Sequence, residues 1–200
     1  MKSVSKIALV AGLLAVFQLA PNADATPFHA DYAHSRMSFM AYTKLFDTLG
    51  TFSKWKIVKA EFDWNDMSKS EFEISVHVAS VDTDSERRDK HLRNEDFFFV
   101  KKFPKATFKS TKIKAISDEK LSVTGDLTIK GITKSITIPL DVVRFEKPIK
   151  GKKIKVMRLK GKFQLKRKEF GVTYEAGALM PSIKNEVDLV IDLNLVGPKE

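Results

Sequence analysis

The sequence predicts a mainly β protein, an antiparallel sheet of about eight strands that curls into a barrel and carries a short helical cap. Three features point there. Apolar residues recur with a period of two along most of the 200 residues, the pattern of half-buried strands. Short connections join these runs and suit antiparallel pairing, because parallel neighbours need long crossovers and are buried on both faces. One segment breaks the period, and it opens with a helix-start signature. A strand set with one apolar face hides that face by closing on itself, and a barrel of this size either fills with side chains or holds one small ligand. A two-sheet sandwich satisfies the same periodicity.

The chain opens with Lys2 and Lys6, an apolar run from Ile7 to Ala20 interrupted by Gln18, and Ala23-Asp24-Ala25. The run is shorter than the roughly 20 residues that a membrane span needs. Small residues at 23 and 25 fit a cleavage site, so residues 1–25 read as a secretory signal peptide and residues 26–200 as one exported domain, expected in the periplasm. That domain is long enough for a real core. It needs one, since a chain with no cysteine has no disulfides even in a compartment that permits them. The formal charge of +10 falls by one when Lys2, Lys6 and Asp24 are cut away. Such a balance suits acidic partners: lipid headgroups, phosphorylated ligands or nucleic acid.

Along the domain, a less regular strand covers Ser35 to Lys44. Val58, Ala60, Phe62 and Trp64 then alternate with charged residues, and Phe72, Ile74, Val76 and Val78 with Glu71, Glu73, Ser75 and His77. A second irregular strand covers Ala106 to Ala115. Leu121 to Ile129 and Ile136 to Val142 flank Lys130-Gly131, which reads as a hairpin. Leu159, Gly161, Phe163 and Leu165 alternate with lysines and Gln164, and Val187 to Leu195 closes the chain. An exposed loop is expected near Pro148 to Lys153. Between the second and third regular strands, Thr83-Asp84-Ser85-Glu86 has capping-box spacing with Thr83 as the cap, predicting a helix to about Arg93. Asn94 is placed to cap a second turn bearing Phe97, Phe98 and Phe99, and Pro104 forces Phe103 to be extended. No single face hides three consecutive rings. The cluster is therefore expected over an open end of the barrel, with Phe97 and Phe98 anchoring the segment and lining the interior, and Phe99 over the entrance.

No catalytic or metal centre is expected. His29, His34, His77 and His91 are scattered, without an H-E-x-x-H pair and without a cysteine to complete a metal site. There is no G-x-S-x-G elbow and no phosphate-binding loop. Arg87, Arg88, Asp89 and Lys90 interleave along a short helix as a solvated face does. Of the lysines at 150, 152, 153, 155, 160, 162, 166 and 168, those on the strand from Leu159 to Leu165 occupy the outward face, and the same charges attract anionic lipid. Nucleic acid is not an expected partner, because no exposed aromatics interleave with these lysines. Fifteen phenylalanines, one of them Phe17 in the leader, and two tryptophans are the stronger signal. Around a barrel with an aromatic cap, they describe a container for a long apolar molecule.

Several motifs resemble those of the YceI-like family, secreted lipocalin-like barrels that bind polyisoprenoids and other long-chain lipids. They are Asp31-x-x-His34-Ser35; Gly50-Thr51-Phe52; Arg88-Asp89-x-His91-Leu92 followed by Asp96-Phe97-Phe98; Phe103-Pro104; Gly125-x-Leu127-Thr128-Ile129-Lys130-Gly131; and Phe170-Gly171. Where that family carries an acidic residue after the two phenylalanines, this chain has Phe99. The resemblance implies an extended antiparallel eight-stranded lipocalin-like barrel with a helical cap and an apolar tunnel, with no cofactor and no established reaction. The residues expected to form that tunnel and its mouth are Phe39, Phe52, Phe62, Trp64, Phe97, Phe98, Phe99, His34, Arg88 and His91, with a polar head group expected near Arg88, His91 or a lysine. The expected ligand is a polyisoprenoid, an isoprenoid quinone or a similar lipid. A filled scaffold whose basic exterior binds an anionic membrane or a partner is the alternative, and a homodimer is compatible with either. An isomerase or hydratase with His34 or His91 as base is a third reading, and no second catalytic group is evident beside either histidine.

Overall fold

The computed structural model of the chain describes residues 24–175 and 182–199. The signal-peptide reading rests mainly on residues 1–23 and lies outside them. Twelve strands are present among the described residues: β1 (Thr26–Pro27), β2 (His29–Ala30), β3 (Arg36–Tyr42), β4 (Asp47–Phe52), β5 (Trp55–Phe62), β6 (Glu71–His77), β7 (Val81–Asp82), β8 (Lys105–Ser117), β9 (Lys120–Ile129), β10 (Ile132–Ile149), β11 (Lys152–Lys166) and β12 (Glu186–Lys199). One α-helix, α1 (Glu86–Leu92), separates β7 from β8. All pairings are antiparallel. The order is β1-β5-β6-β8-β9-β10-β11-β12-β3-β4-β7, with β2 also on β12. The mainly β, antiparallel expectation holds; the strand count is higher, because β4 and the three two-residue strands have no readable alternation.

The sheet curls so that β5 and β12 come near each other, and the segment from Thr26 to Ala30 spans the gap between them. Thr26 faces Phe62 on β5, Phe28 donates its N–H to the Ala60 carbonyl at 2.8 Å, and Ala30 faces Leu195 on β12. Five residues therefore bridge two strands that are far apart in the pairing order. Further along β12 the same edge pairs with β3, with Ala41 opposite Val187.

Two hairpins explain how the long strands keep register. Lys130 and Gly131 have φ of 50° and 77°, and Lys150 and Gly151 have φ of 50° and 78°. Two consecutive residues in the left-handed region make the tight turn whose twist matches the strands it joins. The exposed loop expected at Pro148 to Lys153 is thus a two-residue turn, and β10 and β11 pair up to Ile149 and Lys152. In β5 the expected face is interrupted. A bulge between Ile57 and Lys59 turns Ile57 toward the core and leaves Val58 49% exposed, because an extra residue in one strand reverses the alternation beyond it.

Some inward positions are glycines because a neighbouring strand's side chain lies over them. A Cβ on Gly125 would sit 2.4 Å from the Lys109 carbonyl oxygen and 2.5 Å from the Phe108 ring. The backbone oxygen cannot rotate away, so Gly125→Ala is expected to lower stability by about 1–3 kcal/mol. Urea denaturation reads this as a lower midpoint at unchanged slope.

The core is continuous but uneven along the barrel. At one end Phe28, Phe62, Met157 and Leu195 are buried to within 3% exposure. Trp64 stacks on Phe28 at 6.2 Å under the guanidinium of Arg144, 5.7 Å from the ring centroid. Toward the other end the inward side chains lose contact: Phe163 and Leu165 on β11 and Ile191, Leu189 and Val187 on β12 are only half-buried, although they continue the buried face of Leu159 and Leu193. That end is hollow.

Candidate functional site, an apolar cavity beneath the cap

The hollow half encloses a cavity of about 430 Å³, within the range of small-molecule sites. Its inner end rests on Phe72, Val123, Leu140 and Leu193, and its walls come from inward positions of β3, β6, β8, β9, β10, β11 and β12. At the outer end it meets α1, the phenylalanine turn, Phe170 to Tyr174, Ile183, and the β3–β4 connection at Thr43 and Phe46. Arg88, exposed on α1, and Phe46, 51% exposed, both border the space, so it reaches the surface beside them.

The cap is positioned by a set of polar ties. Ser85, not Thr83, caps α1. Thr83 instead donates both its backbone N–H (3.0 Å) and its hydroxyl (2.6 Å) to the buried carboxylate of Asp89. The neighbouring Arg88 donates its Nε to the Thr83 hydroxyl at 2.7 Å and its Nη2 to the Thr83 carbonyl. The expected capping box fails because a buried carboxylate competes for the same threonine and becomes satisfied by it. Arg93 reaches the carbonyls of Ala79 and Val81, both at 2.8 Å. Lys130, in the β9–β10 turn, donates to the carbonyls of Glu95 and Gly171. His91 and Asp96 meet at 3.0 Å, stapling the helix to the turn that follows.

That turn is not a second helical turn capped by Asn94. Phe98 N–H reaches the Leu92 carbonyl and Val100 N–H the Arg93 carbonyl, while Phe99 has φ of 50°, and this reversal separates the three rings. Phe97 is buried between His91 and Tyr174, each 5.0 Å from its ring. Phe98 packs on Phe52 at 6.0 Å. Both border the cavity. Phe99 points the other way, onto Phe103 at 6.1 Å, and does not border it. Arg88 and Phe46, not Phe99, flank the opening.

Of the other residues singled out in the sequence, Phe39, Phe52, Arg88 and His91 border the cavity and Phe62, Trp64 and His34 do not. Phe62 packs between Phe28 and Phe72 toward the filled end, and Trp64 covers that end. The alternation that pointed both inward has no information about which end of a barrel is hollow. His34 is exposed against Asp31 at 2.7 Å, which with the Ala33 N–H makes a local turn. Both histidines considered as bases therefore have a carboxylate partner, each only a few residues away in the chain. Among the described residues no group of three or more metal-ligating side chains converges.

The sequence reading missed Arg167. It follows a run of outward lysines, yet its side chain is 5% exposed and borders the cavity. It donates to the carbonyls of Val172 (2.7 Å), Ile183 (2.9 Å) and Lys184 (3.0 Å), holding the two sides of the mouth together. Burial pulls its guanidinium below the ordinary arginine range, opposed by Glu175. Outside the wall, Asp188 of β12 accepts from Tyr42 of β3 at 2.6 Å and from Gln164 of β11 at 3.0 Å, and pairs with Lys162 at 2.8 Å. Lys162 and these hydrogen bonds pull its carboxyl down to about 2. A depressed carboxylate stabilises the fold fully above its ordinary value near 3.9 and loses that contribution as pH falls through its folded value. Asp188→Asn is therefore expected to lower stability by about 1 kcal/mol at neutral pH, a solvent-screened figure, with the difference from wild type closing between about pH 4 and 2. Thermal unfolding of both proteins across that range checks it.

Fold and site define a class of protein, a small curled antiparallel β-barrel, solid at one end and hollow under a helical cap at the other. The chain belongs to the YceI-like domain family, which it matches over residues 28–195. It is 34% identical to Protein YceI of Salmonella newport over 173 residues, covering 84% of this chain and 82% of that protein. Protein YceI of Escherichia coli O157:H7 is 33% identical over the same length. Among solved structures, BcnA of Burkholderia cenocepacia superposes with a TM-score of 0.71 at 27% identity, covering 84% of this chain and 99% of that one. A polyisoprenoid binding domain from Saccharophagus degradans shares the fold at 16% identity, with a TM-score of 0.63 over 86% of this chain and 99% of that one.

Proposed function

We propose that the protein is a periplasmic carrier that sequesters the tail of a long-chain apolar lipid, a polyisoprenoid or an isoprenoid quinone, in the cavity beneath its cap. The carrying observation is the cavity itself: inward side chains continue past Leu159 and Leu193 without filling the barrel, and the resulting space is walled by Phe39, Phe52, Phe98, Phe163 and Leu165. The exported leader read from the sequence and the polyisoprenoid-binding description of a domain with the same fold support this reading. Burying one five-carbon isoprene unit gains about 4 kcal/mol gross at ~0.8 kcal/mol per carbon. Part of that gain is offset by ordering the ligand. Affinity thus needs no dedicated polar contact, and the shape of the walls selects the tail. A filled scaffold is disfavoured by the same half-buried wall. Chemistry inside the barrel is disfavoured because His91, the histidine that borders the cavity, spends its Nε2 on Asp96 in stapling the cap.

Arg88 borders the mouth with its Nε–H and one Nη2–H given to Thr83, which fixes the guanidinium and leaves its remaining N–H groups, with the charge, for a polar head. Native mass spectrometry of the protein purified from the periplasm of its own organism, followed by organic extraction, tests the proposal. A stoichiometric long-chain apolar mass is the expected result. A bare mass that persists after incubation with prenols and quinones overturns it.

A further inference from the structure

We infer that the tip of the β3–β4 hairpin docks the protein on an anionic phospholipid bilayer, with the cavity mouth turned toward the lipid. This deepens the carrier reading by naming where cargo enters and leaves, and it rests on a feature that the cavity does not explain. Leu45 is 77% exposed, Phe46 51% and Leu49 55%. These are large apolar side chains on one hairpin, where a soluble surface tends to avoid clustering them. Leu49 faces Met40 across the hairpin, extending the patch down its outer side.

The tip is built to hold that display. Thr43 N–H donates to the Phe46 carbonyl at 3.1 Å. The Thr43 hydroxyl donates to the same carbonyl at 2.7 Å and accepts from the N–H groups of Leu45 and Phe46 at 3.2 and 3.0 Å. One threonine therefore satisfies the turn internally, and its apolar side chains are free to enter another phase. Phe46 borders the cavity as well, so the patch and the hollow are continuous.

Charge selects the occupant. Lys44 sits within the tip and is exposed. Lys184, whose backbone N–H is held by the Tyr42 carbonyl at 2.8 Å, lays its ammonium 5.8 Å from the Tyr42 ring. Asp47 is the one acidic residue of the hairpin, in a chain of formal charge +10. An apolar tip flanked by lysines on a basic protein matches an anionic interface, where headgroups attract the lysines and the acyl boundary receives the leucines.

The test is sedimentation of the mature protein with vesicles of phosphatidylglycerol and phosphatidylethanolamine, and with vesicles of phosphatidylcholine. Wild type is expected to bind the anionic vesicles more tightly, and less so as salt rises. Leu45→Asp/Leu49→Asp is expected to lose at least 10-fold in partitioning, and Lys44→Glu/Lys184→Glu to lose the preference for anionic over neutral lipid. Val143→Asp, which removes an exposed apolar residue of β10, is expected to bind as wild type does. Should the double aspartate variant melt below wild type, Leu45→Asp alone carries the test. Equal binding by wild type and the leucine variants overturns the proposal, as does absence of binding by wild type. A wild-type dimer that becomes monomeric in the leucine variants also overturns it, by showing a second copy of the chain on the patch. The leucine variants are also assayed by native mass spectrometry for uptake of a prenol from solution. Unchanged uptake with lost vesicle binding separates docking from containment, whereas tip-dependent vesicle binding without any prenol uptake refutes the carrier reading and leaves the docking standing.

Discussion

Exchanging Arg167 for methionine is expected to lower the stability of the protein by about 3 kcal/mol, since each buried carbonyl left without a donor costs about 1–3 kcal/mol. Three carbonyls, those of Val172, Ile183 and Lys184, lose their donor at once. Some reach water because they lie at the mouth, which keeps the sum below three full penalties. For a domain of this size the change corresponds to a fall in melting temperature of roughly 6–12 °C. Arg167→Lys should recover less than half of the loss, because one ammonium cannot reproduce a planar fork aimed at three acceptors. Equal melting temperatures for wild type and Arg167→Met would mean that the two sides of the mouth are held by other contacts. The same variant is expected to weaken retention of an apolar tail, since Arg167 ties Val172 to Ile183 and both border the cavity.

Phe98→Asp tests the site more directly. The turn that carries Phe98 is held by backbone hydrogen bonds, Phe98 N–H to the Leu92 carbonyl and Val100 N–H to the Arg93 carbonyl, so the backbone accepts the change. What is lost is a ring on the cavity wall, replaced by a carboxylate that repels an apolar tail and draws in water. Affinity for a prenol is expected to fall by about 100-fold, equivalent to about 2.7 kcal/mol. Phe98→Leu, which keeps an apolar wall, should stay within a few-fold of wild type. Uptake by a folded Phe98→Asp protein equal to that of wild type would remove Phe98 from the site. By contrast, Phe99→Asp is expected to leave uptake unchanged, because that ring packs on Phe103 and away from the hollow.

The contrast between Phe98 and Phe99 shows how much of the site the sequence carries. Three adjacent rings cannot share one face, so the sequence requires them to diverge. It does not specify which one diverges. The outcome depends on the left-handed backbone at Phe99, which turns that ring onto Phe103, and on Phe52 arriving from β4 to receive Phe98; no period of the sequence marks which of three like residues makes the reversal. Trp64 and Phe62 teach the same lesson at larger scale. Their alternation identifies an inward face, and the structure honours it, but they fill the end that Phe28 plugs from between β1 and β2. Arg167 carried no signal among its lysine neighbours, because its burial comes from the chain that crosses over it some sixteen residues later.

Read alone, the sequence determines the mainly β class, the antiparallel pairing, the Lys130-Gly131 hairpin, the helical interruption, and the aromatic richness that a container needs. All of these follow from periods of two and from turn chemistry, which act over a few residues. Tertiary structure decides the rest: the closure of the sheet by Thr26 to Ala30, the bulge that exposes Val58, the assignment of Thr83 to Asp89 in place of a cap, and the division of one apolar face into a packed end and a hollow one. These depend on which side chains arrive from distant strands to fill the same volume. An inward position is buried by its own strand's pattern, but whether it touches a neighbour or borders a cavity is settled only when the opposite wall is in place.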